Sequence, residues 1–319
     1  MIKLEMHGRL GNQMFRYASA RALQIKTGQG IIVSYNYVRR MFSPEKQKAV
    51  DRGWENSLQF FQVQKMEEYR GEKRLLFVKP NICQCFVGII YYCCAKNKRQ
   101  KLTLLQGYKR QIKWMPLLDK FGLYCFSNGY YPYHNTKAKD YYIDGAMECS
   151  RYFSDIRDIL LHEFTPINPP LPHNQELYSI LNATESVCVT IRTFREVSDN
   201  KKTFNLYQVC DNDYYLRGMK YIQEIYPNAK FLICSDDIEY VRSNYDFSDF
   251  DVVYETGNDP VWEKLRIMYT CKHFVISNSS FSWWAQYLSR NPNKIVVAPK
   301  RWFNDDFQGY LIEDWMVKL

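Results

Sequence analysis

The clearest pattern of hydrophobic positions lies in the second half of the chain, where short apolar runs alternate with amphipathic segments. The apolar runs predict strands at Val187–Arg192, Lys230–Cys234, Asp251–Tyr254, His273–Ser277 and Lys294–Ala298. The segments between them have helical spacing and predict helices over Asp213–Tyr226, Pro260–Cys271 and Ser279–Leu288. Strands that alternate with helices in this way predict a doubly wound parallel sheet.

The N-terminal segment has the same character. Alternating residues predict a strand at Ile2–Met6, and the glycines of Gly8–Gly11 indicate a turn, after which Asn12 is positioned to cap a helix. Apolar residues at helical spacing continue to Gly28, which ends the helix, and a second strand is predicted over Gly30–Tyr35. This β-α-β beginning favours a parallel α/β layer.

Two segments of the middle region differ from their surroundings. Ile82–Ala95 is apolar and rich in cysteine, and it predicts a buried helix or strand, with attachment to a membrane interface as the alternative. Phe164–Pro172 has four prolines in nine residues and is typical of a linker. For a chain of 319 residues this organisation favours two domains.

Composition and charge narrow the class of protein. The net charge of +9 favours anionic partners, namely a nucleoside diphosphate, nucleic acid or an acidic membrane surface. The basic runs 96–101 and 109–113 are interpreted as solvated faces or as contacts to a charged or membrane-linked acceptor. The N-terminus does not resemble a signal peptide, and no apolar run is long enough for a helix that spans a membrane. The ten cysteines lack the spacing of zinc ligands, which favours free thiols in the cytoplasm.

Polar residues follow three of the predicted strands, where ligands of parallel sheets bind. Arg192 is suited to a phosphate, because its guanidinium group binds oxyanions bidentately. Asp236 and Asp237 are candidates for hydrogen bonds to a ribose or guanine, or they cap the next helix. Ser279 and Ser280 either cap a helix or form an anion site at its start.

Several familiar chemistries lack their sequence signals. The turn at Gly8–Gln13 is not a dinucleotide fingerprint, no P-loop is present, and no hydrolase triad is legible. Asp211-Asn212-Asp213 opens a predicted helix, and Asp249-Phe250-Asp251 precedes its strand, so neither is placed as the metal-binding DxD of a sugar transferase. No stacking motif for nucleic acid is legible either.

Four motifs carry a resemblance to a known family. Gly8–Phe15 resembles the G-x-L-G-N-Q-M-F signature of the family 11 glycosyltransferases, the α-1,2-fucosyltransferases, in their soluble bacterial form. Phe231–Asp237 is similar to their F-x-x-x-S-D-D stretch, Asn278–Trp284 is identical to N-S-S-F-S-W-W, and Ala298–Trp302 matches A-P-x-x-W. One motif departs: the family's H-x-R-R-x-D falls on Thr190–Arg195, where only its first arginine, Arg192, is kept.

The resemblance implies an α/β fold of GT-B type, with two Rossmann-like domains and the active site in the cleft between them. Residues 1–165 would form the acceptor-side domain and residues 166–319 the GDP-fucose-binding domain. The implied donor-binding residues are Arg192, Asp236, Asp237, Asn278, Ser279, Ser280 and Phe281. The implied residues on the N-terminal side of the cleft are Arg9, Gly11, Asn12 and Gln13.

The resemblance also implies the reaction. L-Fucose would pass from GDP-β-L-fucose, a co-substrate, to the 2-hydroxyl of a galactose-terminated oligosaccharide or glycolipid, with inversion and without metal or cofactor. Arg192 is the main catalytic candidate. Glu196 and His7 are candidate bases; alternatively, Glu196 lies in a surface loop and His7 packs at a strand end without a catalytic role. The enzyme is expected in the cytoplasm, either free or attached peripherally to the inner face of the membrane. The altered arginine motif leaves a GDP-sugar-binding module or a different linkage as alternative functions.

Overall fold

A computed structural model describes residues 1–41, 56–96, 102–195 and 200–319 and divides into two units. The first unit contains Met1–Glu163 together with Asp305–Tyr310. The second contains Phe164–Asn304 together with Leu311–Leu319. The chain therefore first passes from one unit to the other at the start of the proline-rich segment and returns to the first unit only over Asp305–Tyr310. The predicted roles of the two halves remain predictions.

A five-stranded parallel sheet organises the first unit. Its strands are β1 (Ile2–Glu5), β2 (Ile31–Ser34), β3 (Glu67–Tyr69), β4 (Leu123–Tyr124) and β5 (Tyr141–Ile143). Their order across the sheet is β3-β2-β1-β5-β4, so that β1 lies in the centre between β2 and β5. The side chains of β1 and β5 are buried, as expected of inner strands of a parallel sheet.

Six α-helices of the first unit lie within the described residues. They are α1 (Leu10–Thr27), α2 (Asn36–Met41), α3 (Ile82–Tyr91), α4 (Leu104–Ile112), α5 (Met115–Lys120) and α6 (Arg157–Glu163). Short 3₁₀ turns occupy Ser57–Phe60, Leu75–Phe77, Ser150–Tyr152 and Ser154–Ile156, and a π turn over Tyr92–Lys96 follows α3.

The turn between β1 and α1 forms around Gly8. Its φ of 74° lies in the left-handed region, and a Cβ there would stand 2.8 Å from the Cβ of Asn12, so glycine is required. The prediction that Asn12 caps the helix is wrong, because α1 begins earlier, with Arg9 at its N-cap. At the other end Gly28 has a left-handed φ of 69° and ends α1 as predicted.

The cysteine-rich segment departs from its prediction in one respect. Ile82–Tyr91 is helical, as expected, but it is not buried throughout, because Ile82, Phe86 and Ile89 are exposed. All ten cysteines of the chain are free thiols. Within the residues that the structure describes, no helix has both the length and the apolar character needed to cross a membrane.

The second unit has a six-stranded parallel sheet in the order β11-β10-β9-β6-β7-β8. Its strands are β6 (Ser186–Ile191), β7 (Lys230–Ser235), β8 (Val252–Tyr254), β9 (His273–Val275), β10 (Val296–Ala298) and β11 (Val317–Lys318). Its described α-helices are α7 (Gln175–Ala183), α8 (Lys201–Tyr207), α9 (Asn212–Ile225), α10 (Ile238–Asn244), α11 (Val261–Thr270) and α12 (Ser280–Leu288), and Pro172–Asn174 is a 3₁₀ turn.

Strands and helices of the second unit follow the predicted alternation closely. The continuous apolar runs of β6 and β7 are buried on both faces, because helices cover both sides of the sheet. Tyr215 and Met219 of α9 belong to the same hydrophobic core as Val189 of β6. Two parallel α/β units, which are the components of a GT-B enzyme, confirm the predicted fold class.

Candidate active site

Three polar clusters of the second unit lie at adjacent strand ends. Arg192 follows β6, Asp236 follows β7, and Ser279 follows β9 with α12 starting at the next residue. Because β6 lies between β9 and β7 and all three strands are parallel, these residues share the carboxyl edge of the sheet. This edge is where parallel sheets bind their ligands.

The guanidinium group of Arg192 is held by a carboxylate. Its Nη1 atom donates to Oδ2 of Asp236 at 2.5 Å, and the side chains are 19% and 14% exposed. Asp236 also accepts hydrogen bonds from the backbone N–H and the hydroxyl of Thr193, at 2.8 and 3.0 Å. The ring of Phe194 lies 5.1 Å from the guanidinium carbon. Arg192 is therefore a fixed, partly exposed cation, and a guanidinium group is a type of side chain that binds oxyanions.

Asp237 has a different environment from its neighbour. It is the N-cap of α10, where its Oδ1 accepts a hydrogen bond of 3.1 Å from the backbone N–H of Tyr240. Its other oxygen lies 3.2 Å from Nε of Arg195, and both side chains are half exposed. The capping alternative considered for this pair is therefore observed at Asp237, whereas Asp236 binds an arginine.

The start of α12 has no side-chain cap. Ser279 is the N-cap residue, but its side chain makes no capping hydrogen bond. Ser280 and Phe281 follow in the first turn and are partly exposed. Because the first N–H groups of a helix point beyond its N-terminus, this end attracts negative charge. It lies at the strand end next to Arg192.

Buried residues fix the position of α12. The Asn278 side chain is 3% exposed, and its Nδ2 donates to the carbonyl oxygens of Tyr207 and Trp302, both at 2.9 Å. Nε1 of Trp283 donates to the carbonyl oxygen of Leu311 at 2.9 Å. The predicted donor-binding residue Asn278 therefore has its amide nitrogen bonded within the unit, where it positions the preceding strand end.

Sequence reasoning missed a buried ion pair beneath this site. Glu255, which follows β8, accepts a hydrogen bond of 2.8 Å from the backbone N–H of Ser235 and lies 3.1 Å from Nζ of Lys264. Burial raises the pKa of the Glu255 carboxyl, and the charge of Lys264 opposes the shift. The pair supports the last residue of β7, immediately before Asp236. The one signal in the sequence was that Glu255 directly follows a predicted strand, which places it at the same edge of the sheet.

A second polar cluster lies at the carboxyl edge of the first sheet. His7 follows β1 and Asp144 follows the adjacent β5, and Nε2 of His7 lies 2.8 Å from Oδ1 of Asp144. The imidazole stacks on Tyr37 with ring centroids 4.0 Å apart. His7 and Asp144 line a pocket whose other lining residues are Glu5, Asn36, Tyr37, Arg40, Glu72 and Arg74. Sequence reasoning named His7 but missed Asp144.

The predicted residues on the N-terminal side occupy different environments. Gln13 is fully buried; its amide nitrogen donates to the carbonyl oxygen of Gly8, and its oxygen accepts from the backbone N–H of Ser57. The Gln13 side chain thus closes the turn before α1, and its place beside the cleft stays a prediction. Gly11 is buried within α1, whereas Arg9 is partly exposed at the helix start.

Asn12 is bonded to a carboxyl group with a perturbed pKa. Its Nδ2 donates to Oε1 of Glu148 at 3.0 Å. Burial raises the pKa of Glu148 from 4.5 to about 7, and the charge of Arg16 opposes part of the shift. The motif residue Asn12 thus contacts a group that exchanges a proton near neutral pH.

Glu148→Gln is expected to change how stability depends on pH. Because the pKa of Glu148 is higher in the folded protein than its ordinary value of 4.5, the folded state keeps a proton that the unfolded chain releases. The free energy of unfolding therefore falls as pH rises between the two pKa values, and glutamine removes this loss. Melting curves should show the Tm of the variant rising relative to the parent from about pH 5 to about pH 8. Glu224→Gln, at an exposed position of α9, is the control. If the difference in Tm between Glu148→Gln and the parent stays the same from pH 5 to pH 8, the pKa of Glu148 is not raised.

Two remaining expectations concern bases and metals. Glu196, the other candidate base, lies outside the described residues. Across residues 1–41, 56–96, 102–195 and 200–319, no group of three or more His, Cys, Asp or Glu side chains is arranged to hold a metal ion.

Comparisons with known proteins place these sites in context. The family model "Glycosyl transferase family 11" matches residues 127–317, which is more than half of the chain. The chain is 28% identical to an alpha-1,2-colitosyltransferase of Escherichia coli, over 95% of this chain and 92% of that protein. It is 23% identical to the Escherichia coli O-antigen biosynthesis glycosyltransferase WbnK, over 98% of this chain and 99% of that protein. The solved fucosyltransferase NodZ from Bradyrhizobium is 12% identical, with a TM-score of 0.45 over 89% of this chain and 91% of that chain. The family match includes Arg192 and its two neighbouring strand ends.

Proposed function

The chain belongs to glycosyl transferase family 11, and on that basis we propose that it transfers L-fucose from GDP-β-L-fucose to the 2-hydroxyl of a terminal galactoside. The observation that carries the proposal is Arg192, which Asp236 holds at a strand end next to the start of α12. A fixed cation beside a helix N-terminus suits a departing nucleoside diphosphate, because both favour negative charge.

The donor reaction follows from this arrangement. The bond between the anomeric carbon and the β-phosphate oxygen breaks, and its electron pair leaves with GDP. Negative charge therefore grows on the β-phosphate while the sugar gains oxocarbenium character. Arg192 and the first turn of α12, with Ser279 and Ser280, stabilise that charge without a metal ion. The acceptor oxygen attacks from the opposite face, so the anomeric centre is inverted and an α linkage forms.

The carboxylates beside Arg192 have separate roles in this proposal. Asp236 is a positioning residue, because its oxygens bind Arg192 and Thr193 and so fix the guanidinium plane. Asp237 is the more exposed of the two and is the candidate for the ribose or guanine. Phe281, which is partly exposed in the first turn of α12, is proposed to contact the donor.

We propose that His7 is the base that takes the proton from the hydroxyl group of the acceptor sugar. When its Nε2–H donates to Asp144, the neutral imidazole carries its lone pair on Nδ1, which makes that nitrogen the base. Asp144 also stabilises the imidazolium that forms when the proton arrives. The hydroxyl proton of the galactoside thus passes to His7 as the new glycosidic bond forms.

One observation favours a second donor sugar. The chain is similar over nearly its whole length to an alpha-1,2-colitosyltransferase. Colitose is fucose without its 3-hydroxyl group, so both donors would present the same diphosphate to Arg192. The choice between them depends on contacts to that one hydroxyl. The altered arginine motif also leaves room for a GDP-sugar-binding module without transfer, or for a fucosyltransferase that forms a different linkage.

The deciding experiment is a donor and acceptor screen with the full chain. GDP-fucose and GDP-colitose are each incubated with a panel of galactosides, and the linkage of any product is determined by NMR. We expect fucose on the 2-hydroxyl of galactose. Preferred transfer of colitose would show that the donor is GDP-colitose and not GDP-fucose. A product with another linkage would show that the 2-hydroxyl is not the acceptor position. Tight GDP binding without product would favour a binding module.

Ser279→Ala separates a helix cap from a phosphate ligand. If Ser279 binds the β-phosphate, kcat/KM falls tenfold or more (about 1.4 kcal/mol) while the Tm stays within about 1 °C, because the side chain makes no capping bond. Asp211→Ala is the matched control, since Asp211 caps α9 by accepting a 2.8 Å hydrogen bond from Tyr214. That variant should lose about 1 kcal/mol of stability and keep its kcat/KM. A Ser279→Ala enzyme that melts early and turns over normally would reject the phosphate role.

Transfer is expected to continue in excess EDTA. In this proposal arginine and the helix start carry the charge of the leaving group, so removal of divalent ions should leave the initial rate unchanged. Added Mg²⁺ would raise turnover only modestly, by sequestering the product GDP. Complete loss of activity with the chelator, restored by one specific ion, would overturn the metal-independent mechanism.

A further inference from the structure

The helix α3 turns its apolar side outward. Ile82, Phe86 and Ile89 are 82%, 65% and 46% exposed, and their spacing places them on one face. Phe77, in the 3₁₀ turn just before the helix, is 43% exposed. The face packed on the unit is formed by Gln84, Gly88 and Tyr91. An ordinary surface helix has the reverse arrangement, with its apolar stripe on the core.

Two contacts hold the helix in this orientation. The Nε2 atom of Gln84 donates 3.0 Å hydrogen bonds to the carbonyl oxygens of Phe121 and Asp140. Gly88 packs so closely that a Cβ would lie 3.0 Å from Cδ2 of Leu76. Rotating the helix to bury Phe86 would break the first contact and bring larger side chains to the second. The outward apolar face is therefore built into the packing of the first unit.

Positive charge is concentrated in the part of the sequence that contains this helix. Residues 73–118 contain ten Lys and Arg and no Asp or Glu, whereas the whole chain has a net charge of +9. This segment therefore accounts for all of the excess positive charge. Among the described residues, Lys79 precedes α3, and Lys109 and Lys113 are exposed on and just after α4. The helix α4 packs beside the end of α3, where the Tyr91 hydroxyl donates to Oε1 of Gln111 at 3.0 Å.

We propose that this surface binds the headgroup region of an anionic lipid bilayer. The surface, here called the α3 face, consists of the exposed Phe77, Ile82, Phe86 and Ile89, together with the exposed Lys79 just before α3 and the exposed Lys109 and Lys113 on and after the neighbouring α4. Apolar side chains enter the boundary between headgroups and acyl chains, while the lysines bind anionic headgroups, the two contributions typical of interfacial helices. A ten-residue helix is too short to span a bilayer and lies in its plane.

Charge favours a bilayer over a protein partner. The centres of protein interfaces are depleted in lysine, because burying an ammonium group is costly. An anionic bilayer, in contrast, accepts long basic side chains at the level of its headgroups. The proposal concerns attachment alone and is independent of which sugar the enzyme transfers.

Vesicle flotation of the full chain tests the proposal. The protein is mixed with vesicles of phosphatidylcholine alone, or of phosphatidylcholine and phosphatidylglycerol in a two-to-one ratio, at low and high salt. We expect binding to the anionic vesicles that weakens with salt. Ile82→Ser with Phe86→Ser should weaken binding about tenfold or more, because two large side chains leave the acyl boundary. Lys109→Glu with Lys113→Glu should weaken binding to the anionic vesicles and remove most of its salt dependence.

The matched control is Ile167→Ser with Ile225→Ser, which changes two exposed isoleucines of the second unit. This double variant should bind vesicles as the parent does, and all variants should keep the parent's Tm and GDP affinity. Failure of the parent to bind anionic vesicles, or equal binding by Ile82→Ser with Phe86→Ser, would overturn the proposal. So would light scattering that shows a dimeric parent and a monomeric Ile82→Ser, Phe86→Ser variant, because the α3 face would then join two copies.

Discussion

Arg192→Ala is expected to abolish nearly all glycosyl transfer and to weaken GDP binding. Loss of the guanidinium group removes the charge-assisted contact that strengthens as the β-phosphate departs. Its removal should cost on the order of 2–4 kcal/mol, or roughly a 30- to 1,000-fold fall in kcat/KM. Steady-state kinetics and calorimetry with GDP measure the two effects separately.

Controls distinguish this role from a structural one. Arg192→Ala also leaves Asp236, which is 14% exposed, without its main partner, so some loss of Tm is expected. Arg192→Lys keeps a positive charge beside Asp236 and should recover much of the Tm but little of the kcat/KM, because lysine lacks the bidentate geometry. Arg217→Ala, which removes an exposed arginine paired with Asp213, should change neither quantity. Unchanged GDP affinity in Arg192→Ala would refute the assignment.

His7→Gln is expected to lower kcat about 100-fold while leaving GDP affinity unchanged. Glutamine can still donate a hydrogen bond toward Asp144, but it has no basic nitrogen to accept the acceptor proton. Asp144→Asn should have an effect of similar size, because it no longer selects the tautomer with its proton on Nε2. Kinetics with saturating acceptor, together with GDP calorimetry, give the required separation of kcat from donor binding.

Another histidine of the first unit provides the comparison. His162→Gln alters an exposed position of α6 and should leave kcat unchanged. Added imidazole should restore part of the rate to His7→Ala, where the side chain leaves space, and should not affect the parent. A His7→Gln enzyme with the parent's kcat would show that the proton has another acceptor.

The altered arginine motif has a structural explanation. The hydroxyl of Thr190 accepts a 3.1 Å hydrogen bond from the backbone N–H of Ser277, which links β6 to the residue leading into α12. Thr193 donates two hydrogen bonds to Asp236. Residues that depart from the family pattern thus help to hold the strand ends on both sides of Arg192.

Local chemistry made much of the second unit predictable from the sequence. The strands β6 and β7 are continuous apolar runs because parallel strands are covered on both faces, and their boundaries agree with prediction to within a residue. Gly28 ends α1 because its backbone adopts a left-handed conformation that glycine favours. The positions of Arg192 and Asp236 directly after strands, and of Ser279 a few residues after one, were also evident, since strand ends follow from the same runs.

Only the tertiary structure decided which of these residues meet. Strand order brings Arg192 to Asp236 and His7 to Asp144. Neither pair could be predicted from the spacing of residues along the sequence, because each depends on which strands become neighbours in the sheet. The pKa of Glu148 depends likewise on burial by residues distant in the chain. Periodicity identified α3 as an apolar segment but not the direction of its apolar face. That direction follows from Gln84 and Gly88, whose contacts with the rest of the unit hold Phe86 in solvent.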